Sequence, residues 1–171
     1  MQPPRGGCPR TGRNRVWRLA AGLLATGAAL AQQFGSSSAA EPDPAPEQEI
    51  RSAIENWRSA FNEGDEERVC ELFAPDIVAN YQGEPARDHD SLCDMLRSAL
   101  RDRDATYRYS VQINDVMVDG DSAVVRLVWA LEVEKVGSPT ETFEESAVDI
   151  FRRQSDGSWK ISRYLAYPGS R

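Results

Sequence analysis

The chain is poor in the residues that most often hold transition metals or act as nucleophiles, with one histidine and three cysteines in 171 residues. His89 stands between Asp88 and Asp90, but adjacent residues point in different directions, and no second histidine or cysteine cluster completes a tetrahedral metal site. The triplet reads instead as a helix start with capping acids. The same scarcity removes a Ser-His-Asp or Cys-His arrangement. Asp119-Gly120-Asp121 lacks the ligand spacing of a calcium loop and reads as a turn. No metal or cofactor is called for. Long apolar runs are also missing: the longest, Leu19 to Ala31, is 13 residues, where a membrane span needs about 20. Basic residues are scarce beyond position 31, with 15 against 27 acids, a net charge of −12. Such a surface repels phosphate backbones and anionic lipid, which argues against nucleic acid and membrane surfaces as partners.

Five of the 20 basic residues and no acid fall in the first 31 positions. There the stretch RNRVWRLAAGLLATGAALA runs from a cationic start through an apolar segment to Ala29-Leu30-Ala31, the layout of a secretory signal peptide. Cleavage is expected after Ala31, with Ser38-Ala39-Ala40 as a second point, giving a secreted or periplasmic protein with no stable membrane insertion after cleavage. Residues 32–46, rich in Ser, Pro and acids, read as a flexible linker. Cys8 leaves with the signal, so Cys70 and Cys93 remain as an even pair bound for an oxidising compartment. Two readings stay open for them: a disulfide, or two buried free thiols on helix faces.

The domain spans 47–167. Ile50, Ala53, Ile54, Trp57 and Phe61 recur at spacings of three and four, an apolar helix stripe that Gly64 ends. Asp65 caps a second, short helix with Val69, Leu72 and Phe73 inward, and Ile77, Val78 and Tyr81 mark a short strand. A third helix starts at Asp88 or Asp90, with Leu92, Leu96, Ala99 and Leu100 inward. After Asp104 the period changes to two. Tyr107, Tyr109, Val111 and Ile113 alternate with polar residues, and a phase change predicts a bulge near Asn114. Asp119-Gly120-Asp121, Gly137-Ser138-Pro139 and Asp156-Gly157 then separate three further strands, antiparallel in sequence. The expected fold is α+β: three N-terminal helices packed in a curved, mixed but mostly antiparallel sheet, a cone whose open mouth is a natural ligand cavity.

The segments WRSAFNEGDEERVCELFAPDIVANYQG and DIFRRQSDGSWKI resemble the nuclear transport factor 2-like superfamily, and within it the SnoaL-like and ketosteroid-isomerase-like bacterial proteins. The matching pieces are Asn62-x-Gly64-Asp65, Leu72-Phe73-Ala74-Pro75-Asp76 and Asp156-Gly157-x-Trp159-Lys160-Ile161, and the resemblance covers about 47–167. It implies a cone-shaped domain, often a homodimer through the outer sheet face, with a pocket between sheet and helices. Some members isomerise steroids, cyclise polyketides or dehydrate small molecules. The resemblance places the helix tyrosine of the isomerases at Trp57, whose indole can only donate. It places their aspartate base near Asn80, whose amide cannot take up a proton at neutral pH. It places their protonated acid at Asp149, which is retained between apolar neighbours. Alignment of the last strand makes Ser162 and Tyr164 a pocket-facing pair, with Trp57 and Phe61 closing the pocket from the helix side and Trp129 among the strand aromatics.

Three functions are therefore expected in order. The first is an exported pocket protein holding a small apolar or carbonyl-bearing molecule. The second is an isomerase, cyclase or dehydratase using Asp149 as acid and another carboxylate as base. The third is a non-catalytic dimerisation or protein-interaction domain. For Asp149 two environments stay open: a neutral carboxyl donating to a ligand carbonyl, or a carboxylate that faces the outer side or pairs with an arginine such as Arg126 or Arg163. Glu141, Glu144 and Glu145 read as a solvated edge.

Overall fold

The computed structural model describes residues 45–169; the expected signal peptide and most of the linker lie outside the described residues. Helix α1 (Pro46–Glu63) opens on proline with Glu47 and Glu49 in its first turn, where a missing N–H costs nothing and acids meet the positive helix end. It buries Ile50, Ile54, Trp57, Ala60 and Phe61. Gly64 ends it at φ 77°, a left-handed conformation that a β-carbon would oppose. Helix α2 (His89–Arg101) begins at the N-cap Asp88, whose carboxylate accepts from the Ser91 N–H while the Ser91 hydroxyl is bonded to the Asp88 backbone, a reciprocal cap.

The second expected helix is a correction. Asp65 does cap a turn, accepting from the N–H groups of Glu67 and Arg68 at 3.1 and 3.0 Å, but the turn is a single 3-10 turn, Arg68–Cys70. The chain has no room to continue it, because Leu72 is drawn to the sheet, its carbonyl accepting from the Ile161 N–H at 2.8 Å. Among the described residues two α-helices, not three, accompany the sheet.

Among the described residues five strands form one sheet: β1 (Phe73–Tyr81), which precedes α2, then β2 (Ala105–Asp119), β3 (Ser122–Lys135), β4 (Glu141–Arg153) and β5 (Trp159–Pro168). Their order is β1-β5-β4-β3-β2, with β1 parallel to β5 and every other pair antiparallel. Strands of 13 to 15 residues are far longer than the usual five or six and bend at bulges. The register shifts between Ile113 and Asp115, as the phase change at Asn114 predicts, and again between Ile150 and Phe151 and between Phe73 and Val78.

The edge strand β2 is held to α1 by one side chain. Asn62 donates to the Tyr109 carbonyl and accepts from the Tyr109 N–H, both at 2.8 Å, so its amide stands in for a neighbouring strand residue. Two such bonds contribute about 1 kcal/mol each. They also satisfy backbone groups that an open edge leaves bare.

Cys70 and Cys93 join the 3-10 turn to α2 as a disulfide, with Cα atoms 5.6 Å apart and a separation of 23 positions in sequence. The chain-entropy model assigns a loop of this length about 3.5 kcal/mol. The expected result is that denatured, unreduced protein lacking the first 31 residues shows no titratable thiol, and that Cys70→Ser with Cys93→Ser lowers the unfolding free energy by about 3 kcal/mol. Two thiols per chain would show the bond absent.

Candidate functional site

The inner face of the cone is filled by rings. Trp57 meets Trp129 edge-on at 5.0 Å between centroids, Tyr109 at 5.4 Å and Phe61 at 5.7 Å, and Phe61 meets Tyr109 at 4.9 Å. Edge-to-face packing of this kind fills space and adds attraction beyond buried area. What remains inside is a void of about 30 Å³ bordered by Trp57, Tyr81, Tyr109, Trp129 and Tyr164. That is room for a water or two, far below the roughly 300 Å³ at which drug-sized ligand sites begin. The enclosed pocket expected between sheet and helices is therefore corrected: its own walls occupy it.

The open space lies at the mouth of the cone, a cavity of about 250 Å³ lined by Tyr109, Trp129, Leu131, Thr142, Phe143, Glu144, Glu145, Pro168 and Gly169. Two cross-strand rows build it: Tyr109, Leu131 and Phe143 on neighbouring strands, then Trp129 opposite Glu145. The far lip is the end of β5. There the Gly169 N–H donates to the Glu144 carbonyl at 2.6 Å, and a β-carbon on Gly169 would stand 2.8 Å from that of Glu144, so only glycine closes the lip this tightly. A larger surface depression, about 560 Å³, lies between α1, the 3-10 turn and the β4–β5 turn. Two of its acids are already engaged, Glu49 accepting from the Trp159 indole at 2.8 Å and Asp156 from the Ser158 hydroxyl at 2.7 Å, and the mouth is the more enclosed of the two spaces.

Behind the mouth lies a polar cluster. Asp149 on β4 pairs with Tyr164 on β5, and Ala147 pairs with Ala166. Glu145 is two inward positions from Asp149, and the Tyr164 hydroxyl donates to it, so the Tyr164 ring runs past two alanines that leave it space. The Tyr81 ring packs on Tyr164 at 5.3 Å. Asp149 is wholly buried, and neither carboxyl oxygen has a hydrogen-bond partner. Burial, and then the nearby Glu145, hold its pKa well above the ordinary carboxylate range, so it is neutral where exposed acids are charged. Burial raises Glu145 too; the Tyr164 hydrogen bond works against that rise. Burial pushes the Tyr109 hydroxyl up to about 12.

Several expected site residues move. Asn80 is exposed: Ile77, Ala79 and Tyr81 carry the inward phase of β1, so Tyr81 and not Asn80 reaches the interior. Ser162 is buried, but it sits at the β4–β5 bulge and its hydroxyl donates to the Ile150 carbonyl at 3.1 Å; it borders neither the void nor the mouth. Phe61 is core, behind Trp57 and Tyr109. Trp57 borders the void, yet its indole N–H is taken by the Val69 carbonyl at 2.8 Å. Trp129 borders both spaces and Tyr164 the void. Asp149 has neither of the arginine partners considered for it: Arg163 donates to the Asp76 carbonyl at 3.1 Å, and Arg126 is exposed. It also borders neither space, so a ligand carbonyl in the mouth does not meet it. Glu145 is half-buried and not a solvated edge residue; its sequence signal is its place four residues before Asp149, on the same strand face. Among the described residues no group of three or more potential metal ligands forms.

Sheet order, cone and inward aromatic rows define the nuclear transport factor 2-like fold. The chain belongs to the SnoaL-like domain family, whose sequence model matches residues 54–164. A ketosteroid isomerase-like protein from Erwinia carotovora atroseptica is 22% identical, with TM-score 0.61 over 73% of this chain and 97% of its own. A conserved protein from Planctomyces limnophilus is 21% identical, with TM-score 0.65 over 72% and 97%. A protein with a cystatin-like fold from Novosphingobium aromaticivorans is 21% identical, with TM-score 0.60 over 72% and 82%. At such identities the likeness concerns the fold alone. Among curated proteins no relative of the chain is found.

The buried carboxyl has a pH signature. Its native pKa is raised, so the native state keeps a proton that the unfolded state gives up. That stabilisation is complete below the unfolded value and is lost as pH rises through the native one. Asp149→Asn cannot titrate. Its unfolding free energy relative to wild type should therefore increase with pH above about 4, by at most about 1.4 kcal/mol per pH unit, in urea melts. A pH-independent difference would mean that Asp149 titrates alike in both states.

Proposed function

We propose that this SnoaL-like chain is an exported protein that holds a compact small molecule in the mouth of its cone, against Tyr109, Trp129, Leu131, Phe143 and Glu145. The observation that carries this reading is the contrast between the two spaces, an interior plugged by aromatic rings and a mouth of about 250 Å³ with an apolar wall and one oriented carboxylate. Export rests on the N-terminal leader in the sequence.

Protein purified under native conditions from its own host should carry a bound molecule visible by native mass spectrometry. Leu131→Trp, which fills the mouth from a half-buried position, should abolish retention while leaving the circular dichroism spectrum unchanged. An empty wild type, or undiminished retention in the variant, would refute the reading.

A proton-transfer enzyme is the second reading, favoured by Asp149 with two unpartnered oxygens close to Glu145 on one strand face. It ranks second because Asp149 borders neither space. We also propose a homodimer through the outer sheet face. There Val124 pairs with Ile150 and Val148 with Leu165, all half-buried, beside a half-exposed Tyr167. Such an apolar patch favours association. Sedimentation equilibrium should give twice the chain mass for wild type and the single mass for Val148→Asp; a monomeric wild type at micromolar concentration would rule the dimer out.

A further inference from the structure

We infer that the molecule held in the mouth is a small organic cation, an alkylammonium compound whose charged head sits between the Tyr109, Trp129 and Phe143 rings and the Glu145 carboxylate. The inference rests on the mouth being the binding site, and adds the chemistry of its occupant. An aromatic face carries the negative part of the ring quadrupole and attracts a cation within about 6 Å of the centroid. Tyr109 and Trp129 stand edge to face, 5.7 Å apart at 75°, and so form two walls nearly at right angles. Phe143, 47% exposed, flanks them from β4 in the same row as Tyr109. Glu145 lies directly opposite Trp129, its carboxylate aimed by the Tyr164 hydroxyl.

The charges point the same way. Among the described residues none that lines the mouth is basic, and Glu144 stands beside Glu145. No described cation is paired with Glu145; Arg87, which stacks on Tyr81 at 5.9 Å, is engaged by Glu84 at 2.7 Å. A half-buried carboxylate without a counter-charge is unfavourable, and burial does raise the pKa of Glu145. An ammonium head supplies the missing charge. A neutral carbonyl compound would not. The acidic surface, net −12 beyond position 31, raises the local concentration of cations.

Choline and its neutral isostere, in which carbon replaces nitrogen, differ in charge at nearly constant shape. Titrated by calorimetry into the purified protein, choline should bind at least tenfold more tightly than the isostere. Glu145→Gln, whose amide oxygen can still accept from Tyr164, should erase most of that preference, and Phe143→Leu should weaken choline severalfold more than it weakens the isostere. Equal affinity for the two compounds overturns the cation and leaves the mouth as the binding site. Choline binding that survives Leu131→Trp overturns the placement. Absence of choline binding at millimolar concentration overturns the inference, and native retention in wild type against Leu131→Trp then judges the mouth reading separately.

Discussion

The architecture turns on a two-way hydrogen bond between one side chain and one backbone. Asn62, near the end of α1, holds both the N–H and the carbonyl of Tyr109 on the edge strand. This fixes how far the curled sheet closes on the helix. Because Tyr109 faces inward beside Trp129, the same latch brings Trp57 and Phe61 against both rings. The Asn-x-Gly-Asp stretch that carries much of the family resemblance thus has a mechanical explanation. Asn62 latches the edge, Gly64 lets the helix stop there, and Asp65 turns the chain toward the disulfide.

Filling the interior displaces the site. A cone closed on smaller side chains would keep a deep pocket; here an aromatic stack occupies it, and the space beside the stack opens between the strand row of Tyr109, Leu131 and Phe143 and the end of β5. Register sets this. Leu131 and Phe143 stand in the row of Tyr109, and Glu145 stands opposite Trp129, so two of the packed rings are also walls of the mouth. Family chemistry mapped position by position onto the deep pocket consequently falls on residues committed to packing, such as Trp57, or sealed from both spaces, such as Asp149.

Much of the fold is legible in sequence because the signals are local. The 3.6-residue stripe of α1, the capping acids before α2, the glycine turns and the phase change at Asn114 each depend on a few neighbouring residues. The site is less legible because it depends on phase at a distance. Asn80 is misplaced by one residue, since a bulge in β1 sets which of its residues face inward. Ser162, placed in the pocket by alignment of the last strand, is one of two successive residues buried at the β4–β5 bulge, where its hydroxyl turns to the Ile150 carbonyl. Glu145 is hidden among acids that do face solvent, and only the reach of Tyr164 from the next strand separates it from them. The short second helix fails for a similar reason: Asp65 offers a cap, but sheet pairing of Leu72 and the cross-link at Cys70 end the turn.

Ala147 has a consequence of its own. It is the gap on β4 between two acids, and the Tyr164 ring passes through that gap to reach Glu145. Its methyl group therefore controls the tether: a larger side chain there would crowd the Tyr164 ring out of the gap and release the Glu145 carboxylate from the wall, while every residue that lines the mouth stayed in place.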